Sequence, residues 1–391
     1  MTRPTRRIAL LVAAALLLAA CGTGTTDADP AGAGDLDVAD WDAVLAAADG
    51  QSVRWWMFGG DDAINRYVDE HVAPAAAERG VTLERVPIDD TADAVQRVLA
   101  ERQAGTDDGS VDLIWINGAN FAAGKEAGLW LEDWARELPN AELVDPATVE
   151  RDFGVPVDGQ ESPWVRAAFI IGHDRARTPD PPRDFTELLA YAREHPGRVT
   201  YPAPPDFTGS AFVRRAVMEL GEDEAFALLA ELREHQWRDG EAFPGDEAEL
   251  NRLFGDGEVD LTFSYDPNVV RTGVRTGQFP ESARPATFAT GTLQNVSYVT
   301  IPANAAHTAG ALVVADLLLS PRQQATIADP EVVGMPSVLD PERLDEDDRR
   351  RLARVTDGPY LLDDLGELLD ELPADRVTEL DERWRREVLG E

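Results

Sequence analysis

The sequence predicts an α/β protein of two lobes, built on two mostly parallel sheets that are flanked by helices. Strand-like apolar runs alternate with helical patterns along the chain, and this alternation is typical of βαβ units. Two such sets follow one another, and together they span about 350 residues, the length of two ordinary domains. With 43% hydrophobic residues, the chain has enough apolar side chains to bury a large core.

The first set of elements has the order βαβαβ. Its strand-like runs are VRWWMF, VTLERVPI and VDLIWI, and its helical patterns cover residues 62–79 and 92–103. The second set begins with WVRAAFII at 164–171 and continues through DFTELLAYAREHP to RVTYPA. Further helices are predicted at 210–220, 223–235 and 246–254, followed by the strand VDLTFSY at 259–265. NVSYVTIPA then leads to an apolar helix at 309–319, and charged amphipathic helices follow from residue 341.

The N-terminal stretch MTRPTRRIALLVAAALLLAAC has a basic start and a short apolar run, as in a signal peptide. Its end, Leu-Ala-Ala-Cys21, resembles a bacterial lipobox, which predicts cleavage after residue 20 and lipidation of Cys21. An ordinary secretory signal with an incidental cysteine is the alternative. Residues 21–34 read as a flexible tether. We therefore expect a protein held by its lipid on the outer face of the cytoplasmic membrane, on the periplasmic or extracellular side.

Charge and cysteine content exclude several classes of partner and site. The net charge is −37 and Lys125 is the only lysine, which argues against nucleic-acid binding because phosphate contacts need clustered cations. Since Cys21 is the only cysteine, the chain forms no internal disulfide and no thiolate zinc site. The arginine bias and the acidity have organism-level explanations, and neither identifies a ligand.

A catalytic apparatus is not evident. The five histidines form no HxxxH or HxH pair, and the chain lacks a GxSxG elbow, a Walker A sequence and a GxGxxG turn after a strand. Carboxylates are so abundant that pairs arise by chance. We therefore expect no catalytic residues, no metal site and no cofactor.

Four strand ends run into small, polar and aromatic residues, and this pattern predicts a binding site. In open α/β sheets, ligands bind beyond the carboxyl ends of strands, where helix N-termini offer free backbone N–H groups. Simple turn and capping chemistry is the alternative for each loop. The residues expected to contact a ligand are Gly59, Gly60, Asp61, Asn117, Asn120, Phe121, Asp206, Phe207, Thr208, Gly209, Ser210, Ser264, Tyr265 and Asp266.

Several segments resemble the substrate-binding lipoproteins of bacterial ABC importers, which have the type II periplasmic-binding-protein fold. TPDPPRDFTELLAYAREHPGRVTYP is similar to the entry into the second lobe of that fold, LNRLFGDGEVDLTFSYDP to its helix–strand unit, and IPANAAHTAGALVVADLLLSPRQQ to its returning helix. FGGDDAINRYVD, WINGANF and PPDFTGSAF resemble the YnjB-like family, relatives of thiamine, polyamine and iron binders. This likeness covers nearly all of the chain after the tether.

The resemblance implies a lobe 1 formed by 35–163 and 303–340, a lobe 2 formed by 164–302, and C-terminal helices at 341–391 that pack across both. A hinge would join the lobes, and the ligand would sit in the cleft between them. The implied function is capture of a small solute by a monomer that delivers it to an ABC permease and its ATPase. An exported lipid-anchored enzyme and a binding-protein-fold sensor are the alternatives.

The residues of the candidate loops also predict the ligand type. The loops carry several aspartates and aromatic residues but no lysine or arginine, and carboxylates with aromatic faces favour a cation. Helix N-termini remain able to hold an anion. We therefore expect an organic cation, thiamine-like or polyamine-like, with a phosphate-bearing form tolerated at the Thr208-Gly209-Ser210 turn.

Overall fold

The computed structural model describes residues 36–356, 358–362 and 364–390. The predicted signal peptide, Cys21 and the tether lie outside these residues. The α/β class is confirmed, because two larger sheets are flanked by helices, and β4 and β5 of residues 151–156 form a small antiparallel pair beside them. No helix in the described part of the chain is both long and apolar enough to span a membrane.

The elements follow the predicted alternation. The strands are β1 (Ser52–Phe58), β2 (Thr82–Ile88), β3 (Leu113–Ile116), β4 (Arg151–Asp152), β5 (Val155–Pro156), β6 (Glu161–Ala168), β7 (Ile170–Asp174), β8 (Leu261–Ser264), β9 (Ala283–Ala286), β10 (Thr292–Thr300) and β11 (Leu368–Asp370). The α-helices are α1 (Trp41–Ala48), α2 (Asp62–Tyr67), α3 (Ala73–Ala77), α4 (Thr91–Gln103), α5 (Gly118–Glu126), α6 (Phe185–Glu194), α7 (Phe207–Leu220), α8 (Glu222–His235), α9 (Glu247–Gly255), α10 (Val269–Thr276), α11 (Thr308–Leu319), α12 (Pro321–Ala328), α13 (Glu346–Thr356) and α14 (Ala374–Trp384). Short 3₁₀ turns lie at Pro139–Leu143, Pro146–Thr148 and Trp237–Gly240, and π turns at Val68–Val72 and Arg385–Leu389.

The first sheet has the order β2–β1–β3–β10–β6, and β11 pairs with β10 beyond the end of β3. β1 runs parallel to β2 and β3, whereas β10 is antiparallel to β3 and β6. Every second residue of β1 is buried, as the two-residue period of a strand requires for one core-facing side. Because β1 and β3 are parallel neighbours, their carboxyl ends lie at the same edge of the sheet.

The second sheet differs from the prediction of a mostly parallel sheet. β7 lies between β8 and β9 and is antiparallel to both. The run RVTYPA, predicted as a strand, is not one, although Arg198 and Val199 accept backbone hydrogen bonds from Asp260 and Trp237. Prolines follow at once in this run, and because proline lacks an N–H donor it cannot continue a ladder.

Separate hydrophobic cores surround the two sheets and define two lobes. The first lobe contains β1, β2, β3 and α11, a helix buried on all its faces. The second lobe contains β7, β8 and the helices α6 to α9. β6 and β10 belong to the first sheet and lead directly into the second lobe, where Phe169 N–H bonds to Leu293 O. The exact lobe boundaries given above stay predictions.

The last part of the chain contacts both lobes. α13 packs against α12 of the first lobe, and β11 pairs with β10. α14 packs against α7, and the π turn after it packs against α8. We call residues 368–390 the C-terminal arm. The arm contributes Leu380, Trp384 and Val388 to the core of the second lobe.

Candidate functional site

Loops from the two lobes approach each other beyond the strand ends. The first cleft face consists of residues 58–61 after β1 and residue 117 after β3. The second cleft face consists of residues 206–208 at the start of α7 and 264–266 after β8. We call the gap between these two faces the cleft.

The first cleft face is built on the capped start of α2. Asp61 accepts hydrogen bonds from the N–H groups of Ala63 (2.8 Å) and Ile64 (3.0 Å), which satisfies two free donors of the first helical turn. Asn65 donates to the carbonyl of Gly59 at 2.8 Å and closes the loop. Asp61 is therefore the cap of α2, and its charge lies close enough to act on Asp266; its contact with a ligand stays a prediction.

Asp266 faces Asp61 from the opposite lobe. It accepts from the N–H of Asn268 at 2.8 Å and is exposed, but protein surrounds its carboxylate on several sides. Desolvation by these surroundings raises the pKa of Asp266; the hydrogen bonds from Asn268 oppose this, and the negative charge of Asp61 adds to it. The two lobes thus place like charges against each other across the cleft.

A third carboxylate lies beneath the second cleft face. Glu247 accepts a hydrogen bond from the hydroxyl of Thr208 at 2.5 Å and from that of Ser264 at 2.6 Å. Burial raises the pKa of Glu247, and the charges of Asp266 and Asp206 add to this effect, although both hydroxyls oppose it. Glu247 could not be predicted from the sequence, because nothing in the start of α9 distinguishes it from an ordinary acidic first turn.

Two aromatic side chains are exposed at the cleft, one on each face. Phe58 is 42% exposed and Phe207 is 51% exposed, and they are the large hydrophobic side chains that the described residues leave exposed. Phe58 packs edge-on against Trp115, with ring centroids 6.5 Å apart, and Phe207 packs against Tyr265 at 5.0 Å. Both rings therefore present apolar surface where a ligand would enter.

The structure corrects the role of Phe121. Its ring is fully buried in the core beside α4, so the side chain does not reach the cleft. Nearby, Asn117 donates to the side-chain oxygen of Asn295 on β10 at 3.1 Å, and Asn120 is half-buried in the first turn of α5. From the sequence, an aromatic residue in the first turn of a helix can point either into the core or into the cleft. The side chain of Phe121 points into the core.

The Thr208-Gly209-Ser210 turn is also more deeply placed than predicted. A Cβ atom on Gly209 would lie 2.1 Å from the carbonyl oxygen of Pro202, so this glycine permits close backbone packing. Its N–H donates to Asp206, the cap of α7, at 2.9 Å. The hydroxyls of Thr208 and Ser210 donate to carboxylates, so neither is available to hold a phosphate.

Carboxylates of the C-terminal arm accept hydrogen bonds from two of the predicted site residues, Ser210 and Tyr265. Ser210 donates to Asp381 at 2.6 Å, and the hydroxyl of Tyr265 donates to Glu371 at 2.5 Å. Burial raises the pKa of Tyr265 well above its ordinary value, and the charge of Glu371 adds to the effect. Glu371 also pairs with Arg214 of α7. These partners come from a segment more than a hundred residues away, so no local motif could have predicted them.

The described residues contain no group of three or more His, Cys, Asp or Glu side chains arranged to hold a metal ion. A cavity of about 270 Å³ lies beside Asn268 and Arg166, between the lobes and the segment that precedes the arm. Its buried guanidinium, Arg166, is already bonded to Ser337 O at 2.6 Å and Asp145 at 3.1 Å. The guanidinium that lines this cavity is therefore already paired within the protein.

Two buried acids lie in the first lobe. Burial raises the pKa of Asp152 to about 7, against a hydrogen bond from Gly118 N–H. Burial also raises the pKa of Glu161 well above its ordinary value, and the charge of Asp152 adds to this. Both carboxylate oxygens of Glu161 lack a hydrogen-bond partner among the described residues. Because burial raises both pKa values, ionising these acids costs folding stability.

Comparison with known proteins agrees with this architecture. A family model described as bacterial extracellular solute-binding protein matches residues 70–347. The chain is 39% identical over 365 residues to the protein YnjB of Escherichia coli (strain K12), which covers 88% of this chain and 93% of YnjB.

Solved structures share the fold at low sequence identity. The spermidine/putrescine ABC transporter substrate-binding protein PotD of Streptococcus pneumoniae aligns with a TM-score of 0.62 and 13% identity, covering 86% of this chain and 98% of that one. A periplasmic thiamin binding protein aligns with a TM-score of 0.54 and 18% identity, covering 86% and 96%. The family match implies an extracytoplasmic location. The chain belongs to the bacterial extracellular solute-binding proteins, the substrate-binding components of ABC transporters.

Proposed function

We propose that this protein captures an organic cation for an ABC importer and remains attached to the outer face of the cytoplasmic membrane by a lipid on Cys21. The two lobes close around the cation by a hinge motion. The closed form then docks on a permease and its ATPase, as substrate-binding proteins of ABC importers do. The protein performs no chemistry on the solute.

The approach of Asp61 and Asp266 from opposite lobes is the observation that supports this ligand type. In the absence of a cation, closing the cleft brings two like charges together at a cost. A bound cation converts that repulsion into attraction to both lobes, so the ligand itself favours closure. An anion at the same position would increase the repulsion.

The exposed rings of Phe58 and Phe207 support the same choice. Each offers an aromatic face next to a carboxylate, and a cation over such a face gains about 0.5–2 kcal/mol. Simple inorganic cations gain less from apolar surface than organic ones. Thiamine-like and polyamine-like cations combine positive charge with apolar atoms, and the solved relatives include a thiamin binding protein and a spermidine/putrescine substrate-binding protein.

A thermal-shift screen of the purified protein tests the ligand class. The compounds are thiamine, spermidine and putrescine as cations, citrate and phosphate as anions, and neutral sugars. A ligand at a hundred times its dissociation constant stabilises the native state by about 2.7 kcal/mol, which moves the midpoint by several degrees. Isothermal titration then measures the affinity of each hit. Tight binding of an anion or a sugar, without binding of any organic cation, contradicts the proposal.

The lipid anchor has a separate test. We expect Cys21→Ser to abolish palmitate labelling and cleavage by the lipoprotein peptidase, because the thiol is the acylated group. The precursor should then be retained at its unprocessed length. Normal labelling of this variant would show that Cys21 is not the lipidation site.

A further inference from the structure

The C-terminal arm inserts a carboxylate directly behind the second cleft face. Glu371 makes two parallel hydrogen bonds to Arg214, at 2.7 Å from Nε and 2.6 Å from Nη2. The side chains are only 2% and 1% exposed, so this is a buried bidentate ion pair. The hydroxyl of Tyr265 donates a third hydrogen bond to the same carboxylate.

The ring of Phe207 connects this ion pair to the surface of the cleft. Phe207 is exposed in the cleft, and its ring lies 5.8 Å from the guanidinium carbon of Arg214 and 5.0 Å from the ring of Tyr265. Arg214, Tyr265 and Phe207 therefore form a continuous layer. Phe207 is the exposed member of this layer, and Glu371 of the arm contacts its two buried members, Arg214 and Tyr265.

The arm is fixed at several points, so its carboxylate has a defined position. β11 pairs with β10 immediately before Glu371, Asp381 accepts from Ser210, and Trp384 donates to Tyr201 at 2.8 Å. A buried guanidinium requires an anionic partner, because desolvating it alone is costly. A carboxylate or phosphate of a solute would satisfy Arg214 equally well. In this chain the partner is supplied internally.

We propose that Glu371 is a built-in anion that occupies the anion-binding position at Arg214 and thereby makes the cleft select cations over anions. The proposal rests on the function proposed above and adds a specificity-determining residue to it. With Glu371 in place, the guanidinium is neutralised, and Asp61, Asp206 and Asp266 determine the charge of the cleft. Without it, the guanidinium loses its bidentate partner, and the charge of Asp381 alone compensates it only in part.

The test compares Glu371→Gln with the wild type by isothermal titration. Thiamine and spermidine are the cationic probes, and citrate and inorganic phosphate are the anionic probes. We expect the variant to bind the cations about tenfold more weakly, because a buried positive charge at close range opposes them. We also expect it to gain measurable citrate or phosphate binding that the wild type lacks.

A double variant separates charge from structure. Arg214→Met together with Glu371→Met removes both charges at similar volume, and replacing a buried ion pair in this way is often tolerated. We expect this protein to bind the cationic probes within about threefold of the wild type and to bind no anion. An anion gain in Glu371→Gln that persists without Arg214 would contradict the proposal, and so would a Glu371→Gln variant with wild-type selectivity.

Two further outcomes are distinguishable. If Glu371→Gln does not fold, Tyr265→Phe replaces it, since this change removes one hydrogen bond that holds the carboxylate of Glu371 against Arg214. We then expect Tyr265→Phe to bind citrate measurably, as the wild type does not, and the absence of citrate binding to this variant overturns the proposal. If the wild type binds no organic cation, the proposed function fails, whereas the role of Glu371 is still decided by the anion gain.

Discussion

The carboxylates of Asp61 and Asp266 belong to different lobes and face each other across the cleft, near enough that the charge of Asp61 raises the pKa of Asp266. Each is held in place by its own helix start or turn, Asp61 by two backbone N–H groups and Asp266 by Asn268. Neither is therefore free to turn away from the other when the cleft narrows. A cation between the two groups would therefore be attracted to both.

The first prediction removes one of these charges at a time. Asp61→Asn and Asp266→Asn each keep a side-chain oxygen that accepts the local backbone hydrogen bonds, so the folds of the loops should persist. We expect each variant to bind an organic cation about tenfold more weakly, because one of two attractive charges is lost. Isothermal titration with thiamine and spermidine measures the change.

Glu132→Gln is the matched control for the loss of charge. Glu132 is exposed on the first lobe next to Leu131, which bonds to Ile301 beyond the end of β10 that lies away from the cleft. This variant should bind the cation like the wild type, since exposed charges far from the ligand are screened by salt. Equal weakening in all three variants would mean that overall acidity, and not the facing pair, attracts the ligand.

The second prediction concerns the two exposed rings. Phe58→Leu and Phe207→Leu should each weaken binding of an organic cation about twofold to thirtyfold, because leucine keeps apolar surface but lacks a π face. Stability should change by no more than about 1 kcal/mol, since both side chains are already exposed in the free protein. Titration and urea unfolding of each variant provide the two measurements. Unchanged affinity in both variants would remove the rings from the site.

For Phe121→Ala we expect the opposite of the exposed rings, namely a large loss of stability with little change in affinity. The sequence placed Phe121 in the cleft, but its ring is fully buried among the side chains of the first lobe. We expect this variant to lose about 3–5 kcal/mol of stability through the cavity it creates. The affinity measured on the fraction that remains folded should stay close to that of the wild type. A stable variant with impaired binding would return Phe121 to the site.

The fold was largely predictable, because it depends on patterns that the chain repeats. The buried alternation of β1 and the fully apolar α11 are visible as periodicities, and both occur where the sequence placed them. The direction of strands in the second sheet was not predictable. The run at 198–203 has the composition of a strand but does not form one. The prolines at its end lack the N–H donors that a strand ladder needs. Which neighbour a strand pairs with, and in which direction, depends on contacts between distant segments.

The site was predictable only to the level of loops. Asp61 and Asp266 were predicted as ligand contacts because glycine, aspartate and proline mark strand ends, and such ends meet in an α/β fold. The structure brings the two aspartates near each other, and their contact with a ligand stays a prediction. Which hydroxyl faces outward was not predictable, since Thr208 and Ser264 are turned toward Glu247 by a contact between separate elements. The Glu371 partner of Arg214 lies 157 residues away and was missed for the same reason.

The third prediction tests why Gly209 is a glycine. A Cβ atom there would lie 2.1 Å from the carbonyl oxygen of Pro202, a rigid backbone atom. Gly209→Ala should therefore destabilise the protein by about 1–3 kcal/mol through overpacking. Gly245→Ala is the control, because its nearest new contact would be 3.6 Å from the flexible carboxylate of Glu249. Equal stability of the two variants in thermal unfolding would refute the packing role.

The fourth prediction concerns the buried acid Asp152 and the pH dependence of stability. Its carboxyl accepts a hydrogen bond from Gly118 at 2.5 Å, and burial raises its pKa from 3.8 to about 7. Below pH 3.8 the group is protonated in both the folded and the unfolded chain, so it costs nothing. Between pH 3.8 and 7 the unfolded chain ionises first, and stability is therefore lost as the pH rises.

Asp152→Asn should remove this loss, because the amide keeps an acceptor for Gly118 and does not ionise. We expect the gain in unfolding free energy over the wild type to be near zero at pH 4 and to grow to about 4 kcal/mol at most by pH 7. Urea unfolding across this range measures this gain.

Asp158→Asn is the control of opposite sign. A hydrogen bond from Lys125 lowers the pKa of the exposed Asp158, so this variant should lose stability above pH 4, where the wild-type carboxylate is ionised. A gain for Asp152→Asn that does not depend on pH would mean that the buried charge is not its cause.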